Sequence, residues 1–179
     1  PKGKASSFRN EQTMGRKTFT FFMAACVLFG AAAMTVSGQS RVSNFALQDQ
    51  NDQKVEVNFP SDRPVVFVFG DRDGAKQIDG WATPIYKKFD GKIYMFGVAS
   101  LGGVPSYARG LVRRLIKRQT QFPVLLDWGG KIAKTYGYEK DKAMVLVVAK
   151  NGTILSTKYG AASNAELDQI YKQIENQLR

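Results

Sequence analysis

Two stretches of this sequence gather charged groups whose types could do chemistry. The first is residues 70–79, Gly-Asp-Arg-Asp-Gly-Ala-Lys-Gln-Ile-Asp. Glycine-rich turns can leave backbone N–H groups facing an anion, and Arg72 and Lys76 would add positive charge to such a cradle. Asp71 and Asp73 form a carboxylate pair for acid–base work, and Asp79 extends the charged set. Calcium is a poor fit, since two carboxylates fall short of the roughly six to eight oxygens it takes. A plainer reading makes the loop structural, with Asp71 or Asp73 capping the next helix and the glycines satisfying the geometry of a turn.

The second stretch is SYARGLVRRLIKRQTQF, residues 106–122. It holds Arg109, Arg113, Arg114, Lys117 and Arg118 with no acidic residue. Such a face would suit an anionic membrane surface, at roughly 1 kcal/mol per basic residue near the headgroups, or an acidic partner. It is equally the pattern of a solvated outer helix face. Nucleic acid is not the expected partner, because no aromatic residues interleave with these cations.

Sulfur and imidazole chemistry is nearly absent. The chain has no histidine, and Cys26 is its single cysteine. The most versatile zinc and copper ligands are therefore missing, and neither a metal site nor a cofactor is expected. No spacing marks a Ser–Lys nucleophile, whose partners would meet only in three dimensions.

The elements that must hold these groups follow from periodicity. Phe45 to Leu47 and Lys54 to Phe59 alternate around a polar turn at Asn51-Asp52, which predicts a hairpin. Pro64 to Phe69, Lys92 to Ala99 and Ala143 to Ala149 are apolar runs typical of strands buried on both faces. Between the first two, a helix is predicted from Lys76 or Asp79 to Phe89, turning Ile78, Trp81, Ile85 and Phe89 inward. A second helix is expected over Ser106–Arg118, with Tyr107, Leu111, Leu115 and Ile116 as its apolar stripe. Pro123 to Leu126 reads as a short strand and Lys131 to Tyr136 as a short helix. Asn151-Gly152 turns the chain into a return strand, Ile154 to Lys158. The last helix has a capping box at Ser163 and Glu166, and Leu167, Ile170, Tyr171, Ile174 and Leu178 at helical spacing. Trp81 and Trp128 are expected to pack rather than to bind. The order argues for an α/β fold with a sheet covered on both faces.

That order, opened by a hairpin, resembles the thioredoxin-like superfamily in its redoxin and peroxiredoxin-like (AhpC/TSA-type) form. FPVLLDWGGKIAKTYGY (Phe122 to Tyr138) is similar to the family segment in which a strand meets an Asp-containing turn and a short helix ending in Tyr-Gly. NFALQDQNDQKVEV looks like the entry hairpin and LVVAKNGTIL like the last hairpin. The resemblance covers Asn44 to Leu178 and implies a three-layer sandwich, a central mixed sheet with helices on both faces. The family's redox motifs are not matched. There, a Cys-x-x-Cys pair opens the helix after the first core strand, where the helix N-terminus activates the thiol. Matching Pro84 to the family's helix proline puts Lys76 and Asp79 at those two positions. The family's cis-proline neighbourhood corresponds to Lys142, Ala143 and Met144, none of them proline. The resemblance thus implies the fold without thiol or peroxidase chemistry. It extends to a set of periplasmic thioredoxin-like proteins whose loop also lacks cysteine.

Residues 1–13 read as upstream sequence. Met14 to Gly38 has the grammar of a secretory signal peptide: Arg16 and Lys17, an uncharged run from Phe19 to Val36, then small residues before Gln39. An uncleaved inner-membrane anchor is the competing reading. The domain is then residues 39–179, expected in the periplasm or secreted. The chain's net charge is +11; five of the 26 basic and one of the 15 acidic residues precede Gln39, which leaves +7 beyond it. That charge favours anionic surroundings. The expected function is a binding or interaction module for a protein or anionic ligand. The alternatives are a thiol-independent enzyme at Asp71–Lys76 and membrane-surface binding through residues 106–122.

Overall fold

The structure, a computed structural model, describes residues 40–120 and 122–179; the signal or anchor segment lies outside them. A hairpin of β1 (Phe45–Gln48) and β2 (Lys54–Val57) leads into β3 (Val65–Gly70), α1 (Ala75–Phe89) and β4 (Tyr94–Ser100). A single 3-10 turn, Ser106–Ala108, runs into α2 (Arg109–Gln119). Then come β5 (Val124–Asp127), α3 (Lys131–Thr135), β6 (Met144–Val148), β7 (Ile154–Tyr159) and α4 (Asn164–Leu178). Five strands form one sheet in the order β5-β4-β3-β6-β7; β3, β4 and β5 run parallel, β6 runs antiparallel to β3, and β7 runs antiparallel to β6. Among the described residues no helix is long and apolar enough to cross a membrane.

Strand periodicity builds two cores from one sheet. Every residue of β3 and β6 is buried. Val65, Phe67, Phe69, Met144, Leu146 and Val148 point to a core completed by the hairpin and α3. Val66, Val68, Val145 and Val147 point the other way, onto Trp81, Ile85 and Phe89 of α1 and Ile170 and Ile174 of α4. These helix residues are among the inward positions that helical spacing assigned to both helices; Ile78, Leu167 and Tyr171 are partly buried against the same core, and Leu178, at the C-terminal end of α4, is exposed. The N-cap half of the capping box forms, with Ser163 Oγ accepting from Glu166 N at 3.3 Å, while the Glu166 carboxylate accepts from the Ser163 hydroxyl at 2.6 Å rather than from its backbone N–H.

The hairpin closes the sheet's parallel edge through Gln50, which is buried. Its side-chain amide donates to Phe122 O at 2.9 Å and accepts from Val124 N at 2.8 Å. It thus substitutes for a neighbouring strand and protects the exposed edge of β5.

Helix α2 departs from expectation. None of its residues is fully buried. Tyr107 is 90% exposed, Leu111 55% and Leu115 46%, so three of the four residues of the predicted stripe face solvent. The fourth, Ile116, turns inward, together with Val112 and Arg113. Arg113 determines that choice. Its guanidinium pairs with Asp52 in the hairpin turn and lies 5.9 Å from the Trp128 ring centre, while Arg109 lies 5.4 Å from the same ring. Cation–π contact and ion pairing hold these arginines against the domain, and the leucines on the opposite side are left outward.

Candidate functional site

The loop after β3 is held by backbone-directed hydrogen bonds. Asp71 Oδ1 accepts from Asp73 N at 3.1 Å and from Gly74 N at 2.9 Å, fixing the turn before α1. Asp71 Oδ2 accepts from Asp141 N at 2.9 Å, across 70 residues of chain. The Asp71 amide donates to the Tyr138 hydroxyl at 2.8 Å. Gln77 completes the lock: its amide group donates to Asp141 O at 3.3 Å and accepts from Ala143 N at 3.2 Å.

Gly74 sits at the centre of this closure. A Cβ there would come within 2.4 Å of Lys142 O and 3.1 Å of Ala143 N. Its backbone is ordinary right-handed helix, φ −60° and ψ −31°. Glycine is therefore required by close approach, whereas the sequence alone suggested turn geometry. The glycine-containing loop that follows β4 folds away toward the β5–α3 turn: Leu101 N donates to Asp127 O, and Gly102 abuts Gly130.

Electrostatics agree with a closed loop. Burial opposes the charge on Asp71, but the amides of Asp141, Gly74 and Asp73 outweigh it and hold the carboxyl below the usual range. Tyr138 is pushed far above the ordinary tyrosine range, first by burial, so its hydroxyl stays protonated. Asp73 pairs with Lys76 at 2.6 Å in solvent, and that hydrogen bond lowers its pKa. Arg72, Lys76 and Asp79 are exposed. The structure thus brings Asp71, Asp73 and Lys76 onto one turn, with Asp71 committed to backbone donors. Lys142, Ala143 and Met144 form the opposing wall; Ala143 and Met144 are buried. The cis peptide among the described residues is Phe59–Pro60, away from this wall.

Tyr138, Gln77 and Asp141 were not among the sequence candidates. The Tyr-Gly-Tyr wording around Tyr138 was the available signal, since a tyrosine beside the sheet needs a partner for its hydroxyl.

The five cations of the 106–122 stretch divide into two groups. Arg109 and Arg113 engage Trp128, with Arg113 also paired to Asp52. Arg114, Lys117 and Arg118 are exposed, and no ion pair among the described residues takes them up. They lie on the outer side of α2 with Tyr107, Leu111 and Leu115. Beyond the helix, Phe122 is 63% exposed and its ring lies 5.5 Å from that of Tyr86, tilted by 58°; Tyr86 is itself 42% exposed. The described surface therefore offers a closed loop at the C-terminal end of the central strand β3 and an open apolar–cationic face on α2.

No protein-family model matches the chain, and the comparison with curated proteins found no match. Solved structures do match. A putative thiol:disulfide interchange protein DsbE from Chlorobium tepidum superposes with a TM-score of 0.61 at 16% identity, covering 79% of this chain and 97% of that one. The exposed lipoprotein thioredoxin Etrx1 from Streptococcus pneumoniae gives 0.60 at 20%, covering 75% and 99%. The peroxidoxin BcpB from Mycobacterium tuberculosis gives 0.55 at 18%, covering 79% and 95%. The fold is thioredoxin-like. Residues 40–179 contain no cysteine.

Proposed function

We propose that the chain is an exported interaction module that keeps a thioredoxin-like frame without thiol redox catalysis and docks through the outer face of α2. The observation that carries this reading is the contrast between two surfaces. At the C-terminal end of β3, Gly74 presses on the Lys142 backbone and both Asp71 oxygens are hydrogen-bonded. On α2 and the turn before it, three apolar side chains and three cations with no ion pair among the described residues face solvent together. Unsatisfied apolar surface beside charge marks a place where something binds.

Export is supported by the signal-like grammar of residues 14–38 and by a structural neighbour described as an exposed lipoprotein. Loss of thiol redox chemistry is supported by the absence of cysteine in residues 40–179. An enzyme without thiols at Asp71–Lys76 has less support, because its carboxylate is already committed and its loop is shut.

Site-specific photo-crosslinking in intact cells tests the docking face. A photoreactive residue replacing Leu111 is expected to form adducts with another molecule, and one replacing Asp73 is not. Adducts from position 73 alone would reverse the assignment.

A further inference from the structure

We infer that the outer face of α2 docks on the surface of an anionic lipid bilayer. This inference rests on the reading of α2 as the docking face and names its partner. Leu111 and Leu115 lie one turn apart on the outer side, with Tyr107 one turn before them. Arg114 and Arg118, also one turn apart, are exposed beside them, with Lys117 adjoining. Arg114 reaches no further than its own helix, donating to Gly110 O at 3.3 Å. No acidic residue occurs between Ser106 and Phe122.

Apolar and cationic side chains interleaved on one helix face match the layering of a bilayer interface. Leucines can enter the acyl boundary while guanidinium and ammonium groups bend back to the phosphates, and a tyrosine ring sits at headgroup level. An acidic protein surface would satisfy the cations but set Leu111, Leu115 and Tyr107 against charge. The two arginines that do find partners, Arg109 and Arg113, face the domain, so the outward cations carry no intramolecular counter-charge among the described residues. The exposed helix is only 11 residues long, suited to lying in the interface rather than crossing it.

Fluorescence on the full chain tests this. With Cys26→Ser to make the label unique, Leu111→Cys carries a polarity-sensitive fluorophore, and Asp79→Cys carries the same label as the reference. Vesicles of phosphatidylglycerol and phosphatidylcholine should shift the position-111 emission to the blue and shield it from a water-soluble quencher, leaving position 79 wet. Pure phosphatidylcholine should do neither, and salt at about 0.5 M should reverse the effect. Arg114→Gln, Lys117→Gln and Arg118→Gln together should weaken the anionic-vesicle response roughly 100-fold, from three charges each near the surface. Equal shielding at positions 111 and 79 would overturn the inference. So would shielding indifferent to vesicle charge and to the three neutralisations, as expected if residues 19–36 alone held the chain. Protein adducts in the photo-crosslinking experiment, with a wet label here, would remove the lipid and leave the docking face; no adducts and a wet label would remove both.

Discussion

Gly74 and Gly110 are both glycines in right-handed backbone, yet the same substitution should have opposite effects. At Gly74 the added methyl meets the Lys142 carbonyl oxygen just before β6, so Gly74→Ala should cost about 1–3 kcal/mol through forced backbone displacement. At Gly110 nothing lies within 4 Å of the new Cβ, so Gly110→Ala should stabilise by about 0.5–1 kcal/mol, as alanine replaces glycine inside a helix. Denaturant midpoints of the two variants measure both signs. Asp71 makes a second residue-scale prediction. Its folded pKa is lowered, so its stabilisation is complete above its unfolded value of about 3.9 and is lost as pH falls through the folded value. Asp71→Asn cannot accept from Asp141 and Gly74 together, and should lose about 1–3 kcal/mol at neutral pH. It should also show a shallower loss of stability below about pH 4, and unchanged acid sensitivity would contradict the role given to this carboxylate. Little of this was legible in spacing. Asp71 could be recognised as a capping or turn residue, but Asp141, Tyr138 and Lys142 are contacts some 70 residues away, and linear order does not encode which backbone a glycine will touch.

At the scale of elements, sequence pattern succeeds where one side of an element is plainly apolar. The continuous runs of β3 and β6, the inward positions of α1 and the capped start of α4 all followed from it, because burying those residues leaves the backbone only one arrangement. It failed on α2. Periodicity identifies Tyr107, Leu111 and Leu115 as sharing a face but not which way that face turns. The deciding contacts, Arg113 to Asp52 and to the Trp128 ring, join three separate parts of the chain. A helix with no fully buried residue should open locally at low free energy. Hydrogen exchange should therefore be at least about tenfold faster in residues 109–119 than in 65–70 or 81–89, corresponding to a gap of about 1.4 kcal/mol or more in opening free energy. Uniform protection across these segments would mean α2 is bound more tightly than its exposure implies.

For the whole molecule, a sheet with two complete cores supports a shape whose structural neighbours are described as thiol-disulfide and peroxidoxin proteins. The frame needs no disulfide: its stability comes from burial on both sheet faces and from Gln50 and Asp71 joining distant segments. The chemistry of such folds resides in their sites, and in this chain the loop after β3 sets a glycine against a carbonyl. In the proposed function, the scaffold acts by contact and not by electron transfer. Insulin reduction and hydrogen peroxide consumption, assayed on the purified full chain and on Cys26→Ser, test it most directly. Both proteins should run at the rate of a protein-free blank. Turnover above that blank by either protein would contradict it, placing electron transfer on Cys26 if Cys26→Ser abolishes the activity and on a centre without the chain's only thiol if the activity persists.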